Sequence, residues 1–322
     1  MSSSLPKVVF LDKATIPAHI EFRELNFPHQ WVEYDYTSPE QLAERLQDAD
    51  IVISNKVQLN AQMLSQYPKI KLIAVSATGT NNVDLEYCRT QNIAVCNIQG
   101  YATRSVPEHA ISMIFALKRN LFAYHQDIAN GVWQHDKQFC FFTHPITDVA
   151  ESTIAIVGSG NLGEGVATLS RALGMQVIFA ERKGCGDVRE GYVSFESALQ
   201  QADIVTLHCP LTDATTDLIA AKELALMKPT AILINAGRGG LVNESDLVEA
   251  LKSAQIAGAG VDVFTQEPAD ESNPLLANIS LPNLLLTPHV AWGSDSALTS
   301  LVNILLNNIE HFMQGKSLNR VV

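Results

Sequence analysis

The stretch Ile154 to Gly163 (IAIVGSGNLG) constrains the fold more than any other part of the chain. An apolar, β-branched run stops at Gly158, and Gly160 and Gly163 follow at G-x-G-x-x-G spacing. An amphipathic stretch runs from Glu164 to Leu173, and a second apolar run, Gln176 to Ala180, ends at the acid Glu181. The order is strand, tight turn, helix, strand, acid. Gly158 permits the turn, and Gly160 lets a pyrophosphate approach the backbone. Gly163 lets helix and strand pack closely, and the helix N-terminus faces the negative charge; Asn161 and Leu162, between the second and third glycines, are further candidate cofactor residues. Glu181 stands near the usual distance of about 20 residues at which a carboxylate meets ribose hydroxyls. A lone glycine triplet says little. One framed by a strand, a helix and an acid predicts a dinucleotide site. Glu181 would repel a 2′-phosphate, which points to NAD; Arg182 and Lys183, just past it, are either phosphate partners or solvated loop charges.

The signature begins near residue 154, so a complete unit precedes it. Short apolar runs alternate with helix-length segments. The expected strands are Val8–Leu11, Ile51–Ile53, Leu72–Val75 and Ile93–Val95, then Ile154–Val157, Val177–Ala180, Ile204–Leu207, Ile232–Ile234, Gly258–Val263 and Leu284–Leu286. Helical patterns such as Pro39–Gln47 and Ser245–Ser253 separate them. The alternation predicts an α/β protein with two doubly wound parallel sheets, one of them a Rossmann domain. Helical segments Val106–Ala123 and Ala297–Met313 frame the second unit. The last has no strand to follow it, which suggests a discontinuous first domain of residues 1–100 plus 291–322 around a cofactor domain of 101–290. The aromatic stretch from Phe122 to Ala150 reads as a long irregular loop, either an oligomer arm or a locally packed excursion.

Composition limits the partners. The 322 residues are 47% apolar and 17% charged, enough for roughly two domains with sizeable cores. The net charge of −12 disfavours nucleic acid and anionic membrane. No signal-peptide core is evident, and no apolar run approaches the ~18 residues of a membrane helix. Cys88, Cys96, Cys140, Cys185 and Cys209 are scattered without a C-x-x-C pair, so a disulfide framework and a zinc site are not expected and a reducing cytoplasm is.

Three ionisable residues follow strand-like runs. Ile232–Asn235 leads to Arg238, Gly258–Phe264 leads to Glu267, and Leu284–Pro288 ends at His289. Ligands of open parallel sheets bind outside the carboxyl ends of the strands, so all three belong to the cofactor edge. Alone, each has an ordinary alternative: a surface arginine, a solvated loop acid, a structural histidine. Together they suggest chemistry. Glu267 beside His289 would favour the charged imidazole and fix its tautomer, giving a proton donor near neutral pH. Arg238 supplies a planar fork for a carboxylate or a polarised carbonyl. A redox cofactor beside such a set describes carbonyl reduction by hydride transfer.

At these residues the chain resembles the D-isomer-specific 2-hydroxyacid dehydrogenase family over essentially its whole length. The resemblance rests on Thr78–Asp84 (TGTNNVD), the glycine fingerprint with Glu181, His208–Thr212 (HCPLT), Asn235–Gly239 (NAGRG), Asp262–Pro268 (DVFTQEP) and Thr287–Trp292 (TPHVAW). The first and last of these look most like the bacterial glycerate dehydrogenase/hydroxypyruvate reductase branch. The resemblance implies that Arg238 binds the substrate carboxylate and carbonyl, and that His289, supported by Glu267, delivers the proton. It gives the amides of Thr78, Gly79 and Thr80 to the substrate carboxylate, a task suited to a turn entering a helix. It implies that Asp262 meets the nicotinamide carboxamide, and that Thr103 and Val106 pass near the nicotinamide. Cys209, Pro210, Ala236 and Gly237 fall in the matching cofactor-side motifs. A homodimer through the cofactor domain is implied, and no metal. Trp292 either walls the pocket or packs in the core.

Formate dehydrogenase is similar in fold but carries glutamine where this chain has Glu267. A phosphoglycerate dehydrogenase-like enzyme and an NAD(H)-sensing corepressor are the remaining readings. Hydroxypyruvate, with glyoxylate also accepted, is the substrate expected from the branch.

Overall fold

The computed structural model describes residues 5–322, which form two compact units. One comprises the described residues through Tyr101 together with Ser294–Val322; the other is Ala102–Gly293.

The first unit carries five parallel strands: β1 (Lys7–Phe10), β2 (Gln30–Glu33), β3 (Ile51–Ser54), β4 (Leu72–Val75) and β5 (Ala94–Cys96). They are ordered β2-β1-β3-β4-β5. β3 and β4 are buried along their whole length, as strands covered on both faces must be. β2 was not expected from the sequence. It is a half-exposed edge strand whose residues QWVE carry no apolar run. The helix Asp295–Met313 packs on β4. Beyond it the chain runs antiparallel to β5, where the Val321 amide donates to Val95 O at 2.7 Å and Asn97 N to Asn319 O at 3.1 Å. Buried Asn308 donates from Nδ2 to Asn97 O, and its Oδ1 accepts from Asn319 Nδ2.

The second unit carries seven parallel strands: β6 (Thr153–Val157), β7 (Gln176–Ala180), β8 (Tyr192–Val193), β9 (Ile204–Leu207), β10 (Ile232–Asn235), β11 (Gly258–Val261) and β12 (Leu284–Leu286). Their order, β12-β11-β10-β9-β6-β7-β8, reverses between β6 and β9, the topological switch point of a Rossmann sheet. Side chains alternate between two cores. Ile154 and Ile156 of β6 join Met113, Ile114, Val166 and Ile234 on one face. Ala155 and Val157 join Val205, Leu207, Leu233 and Leu247 on the other. Full burial of each such aliphatic side chain contributes about 1.5–3 kcal/mol, so neither helix layer is dispensable.

Two expectations are corrected here. The segment Val106–Ala123 is not one helix. It is Ser105–Lys118, then a left-handed Asn120 (φ 48°), then a second helix Leu121–Ala129. The stretch after Phe122 is therefore not simply an irregular loop, because that helix and Val132–Asp136 occupy its first half. β8, a two-residue edge strand, was also not legible.

Candidate active site

The glycine turn is built by close approach. A side chain at Gly163 would meet Gly158 O at 1.9 Å, and one at Gly158 (φ 103°) would meet His208 O at 2.7 Å. These glycines weld β6, the helix Asn161–Ala172 and the end of β9 together. Gly160, the N-cap of that helix, faces open space, and no side chain caps the helix. The first-turn N–H groups are thus available to an anion, and the cradle fits a dinucleotide pyrophosphate. Thr103 O lies against the same helix, 3.1 Å from where a side chain at Gly165 would begin, so the Thr103–Val106 segment flanks the phosphate helix.

Glu181 follows β7 and is 2% exposed. Hydrogen bonds, first from Arg189 and then from the Arg182 amide, hold its carboxyl down to about 2. Arg189 was not anticipated, and no spacing rule marks it. Lys183 is not a competitor for Glu181: its Nζ lies 2.9 Å from Glu223 Oε1 and donates to Leu218 O. Arg182 offers its backbone amide to Glu181, and its side chain is exposed.

Beyond β9, Pro210 is exposed and Cys209 is half-buried; burial pushes the Cys209 thiol up, so it is no thiolate nucleophile. His208 Nε2 lies 2.9 Å from Thr206 Oγ1, its Nδ1 is enclosed with no partner among the described residues, and burial pushes the imidazole down to about 4.

Beyond β10, buried Asn235 staples the turn that holds Ala236 and Gly237. Its Nδ2 donates to Arg238 O, and its Oδ1 accepts the Gly237 amide. The Arg238 side chain is exposed. Nη1 donates to Gly237 O at 2.8 Å, and its other N–H groups have no acceptor among the described residues.

The turns after β11 and β12 meet. His289 Nδ1 lies 2.6 Å from Glu267 Oε2, while Glu267 Oε1 accepts the Phe264 amide. A carboxylate only accepts, so Nδ1 carries the hydrogen and Nε2 is the nitrogen left for proton transfer. His289 is left-handed (φ 54°). Asp262, 0% exposed, holds it there: its main-chain oxygen accepts the His289 amide at 2.7 Å. Asp262 Oδ1 accepts the Val290 amide and the Thr287 hydroxyl, and Oδ2 accepts the Ala291 amide. His109 Nε2 joins this cluster, 3.1 Å from Thr287 Oγ1. Three donors therefore tie the Asp262 carboxylate to the turn that carries His289, two on Oδ1 and one on Oδ2. Trp292 is half-buried.

In the first unit, Thr78 follows β4. Its hydroxyl donates to Ile98 O, and its carbonyl accepts Asn97 Nδ2. The amides of Thr78, Gly79 and Thr80 have no acceptor among the described residues. Among the described residues no cluster of three His, Cys, Asp or Glu side chains is placed to hold a metal ion, and no helix is long and apolar enough to cross a membrane.

Residues 111–291 match the family model described as D-isomer specific 2-hydroxyacid dehydrogenase, NAD binding domain. A Haemophilus influenzae protein classed with the 2-hydroxyacid dehydrogenases is 52% identical over 96% of this chain and 98% of its own. The glycerate dehydrogenase of Methylorubrum extorquens is 47% identical over 98% of each chain. Among solved structures, a D-lactate dehydrogenase with NAD+ from Lactobacillus jensenii superposes with a TM-score of 0.78 at 26% identity, over 98% of this chain and 99% of that one.

Proposed function

The chain belongs to the D-isomer specific 2-hydroxyacid dehydrogenases, and from that premise we propose that it interconverts hydroxypyruvate and D-glycerate, with glyoxylate as a further substrate. The observation that carries the chemistry is the Glu267–His289 pair at 2.6 Å. NADH, when bound, supplies the hydride for the carbonyl carbon. His289 Nε2 gives a proton to the carbonyl oxygen, and Glu267 stabilises the imidazolium before transfer. The free N–H groups of Arg238 orient the 2-keto acid through its carboxylate and carbonyl. In the first unit, the amides of Thr78, Gly79 and Thr80 are the proposed carboxylate donors. The helix Asn161–Ala172 receives the pyrophosphate, with Thr103, Val106, Cys209, Pro210, Ala236 and Gly237 as neighbouring cofactor contacts and Trp292 as a wall of the substrate pocket. Asp262 acts as a positioning residue for His289.

The substrate assignment rests on the 47% identity to a glycerate dehydrogenase across both full lengths. Its test is steady-state NADH oxidation with hydroxypyruvate, glyoxylate, pyruvate and 3-phosphohydroxypyruvate. Hydroxypyruvate is expected to show the highest kcat/KM, followed by glyoxylate. Preference for the phosphorylated acid would remove the glycerate assignment and leave the family intact. A homodimer through the cofactor unit and a cytoplasmic setting belong to the same proposal. Exposed aromatic residues between 121 and 146 and five free thiols support them.

A further inference from the structure

Glu181 is saturated by its own protein. Oε1 accepts Arg189 Nη2 at 2.9 Å and the Arg182 amide at 2.9 Å. Oε2 accepts Arg189 Nε at 2.6 Å and the Arg189 amide at 3.3 Å. A carboxylate offers about four acceptor sites, and four donors fill them. The residue expected to receive two ribose hydroxyls has no acceptor site left while Arg189 stays in place.

Arg189 is well held. Its Cζ lies 3.9 Å from the centre of the Tyr192 ring, and the Tyr192 hydroxyl donates to Ser159 Oγ at 2.5 Å. Ser159 stands between Gly158 and Gly160 of the phosphate turn. The guanidinium is thus fixed between the ribose acid and the pyrophosphate cradle. The two members of the ion pair differ in access. The Glu181 side chain is 3% exposed and the Arg189 side chain 54% exposed. The pair sums to zero charge, and its outer member is the cation. Arg189 Nη1 has no acceptor among the described residues. A planar fork with an open N–H edge is suited to a phosphate.

We propose that Arg189 sets the choice between NADH and NADPH: it neutralises Glu181 and offers its open edge to a 2′-phosphate, so that this protein binds both dinucleotides. The inference rests on the second unit being the dinucleotide-binding one. It departs from the simpler expectation that Glu181 gives a preference for NADH over NADPH. Lys183, turned to Glu223, has no part in it.

The test is binding, read without turnover. Dissociation constants for NADH, NADPH, ADP and 2′,5′-ADP are measured by titration calorimetry on the wild type, Arg189→Leu and Arg189→Lys. The wild type should bind NADPH within about tenfold of NADH, and added salt should weaken NADPH more. Arg189→Leu should weaken NADPH and 2′,5′-ADP by about tenfold or more, the scale of one lost charge-assisted fork, and should tighten NADH by freeing Glu181. Arg189→Lys keeps the charge without the fork and should fall between the two. Thermal unfolding of each variant checks that it is folded. The proposal is overturned if the wild type rejects NADPH by more than about a hundredfold, or if Arg189→Leu and Arg189→Lys leave the NADPH to NADH ratio unmoved. Either result, with NADH still bound, leaves the dehydrogenase reading standing. Failure to bind any of the four ligands would remove both.

Discussion

A ring-bearing residue in the left-handed region needs its surroundings to hold it, and Asp262 holds the His289 turn through four hydrogen bonds: from the His289 amide, the two amides that follow, and the Thr287 hydroxyl. The strain is local and places Nδ1 on Glu267. His289→Ala should lower kcat by roughly 10²-fold or more, the usual scale for losing a general acid. The binary Kd for NADH should move far less, because a proton donor is not a main cofactor anchor; an equal loss in both would make His289 a binding residue. His208 has a different role at this scale. Its folded-state imidazole, pushed down to about 4 by burial, stays neutral where an unfolded one, near 6.5, takes up a proton. The unfolded state therefore binds more protons between these values, and stability falls as pH drops from 6.5 to 4. His208→Asn removes this pH-dependent loss. Urea unfolding at pH 7 and pH 4.5 should show the variant gaining on the wild type by about 2 kcal/mol. A constant difference would refute the assignment. Glu267 and His289 were legible as neighbours because each follows a strand of one parallel sheet. Arg189 and His109 were not, because nothing local ties a loop arginine or a helix histidine to one particular carboxylate.

The helix Asn161–Ala172 shows how the elements divide their duties. Gly163 is constrained from inside the fold, where an added Cβ would meet Gly158 O at 1.9 Å; Gly160 is constrained only by what approaches from outside. Gly163→Ala should destabilise the second unit by about 1–3 kcal/mol or more, the cost of overpacking against backbone. Gly160→Ala should leave the melting temperature nearly unchanged while weakening NADH binding. The reverse ranking in paired thermal-melt and titration measurements would show that the turn is not a cofactor cradle. The buried strands stood out in the sequence because a strand covered on both faces must be apolar throughout. β2 and β8 did not, because an edge strand has one neighbour and one wet side. The helix break at Asn120 was hidden too. Asparagine is tolerated in a left-handed turn, and the apolar pattern runs on across it.

At the scale of the whole molecule, the exposed aromatic segment bears on assembly. Phe122, Trp133, Phe139 and Phe142 are exposed at 62%, 46%, 93% and 78%, whereas Tyr124 of the same segment packs against Phe141 and His144. Exposed aromatic residues of this kind are candidates for a contact surface between copies of the chain. Sedimentation of the wild type should give a dimer, and Phe139→Ser with Phe142→Ser should shift it towards monomer at micromolar concentration; an unshifted dimer would put the interface elsewhere. What the sequence by itself determined is what neighbouring residues encode: the alternation that makes both sheets parallel, the glycine turn with its helix, and the reactive side chains at strand ends. Tertiary structure alone decided the pairings between distant residues. It chose the strand order and laid Val321 along Val95. It also turned Lys183 to Glu223 and Arg189 to Glu181. The reason is physical. Backbone propensity and burial pattern act over a few residues, whereas the partner of a charge is set by which side chains the packed sheets bring within hydrogen-bonding reach.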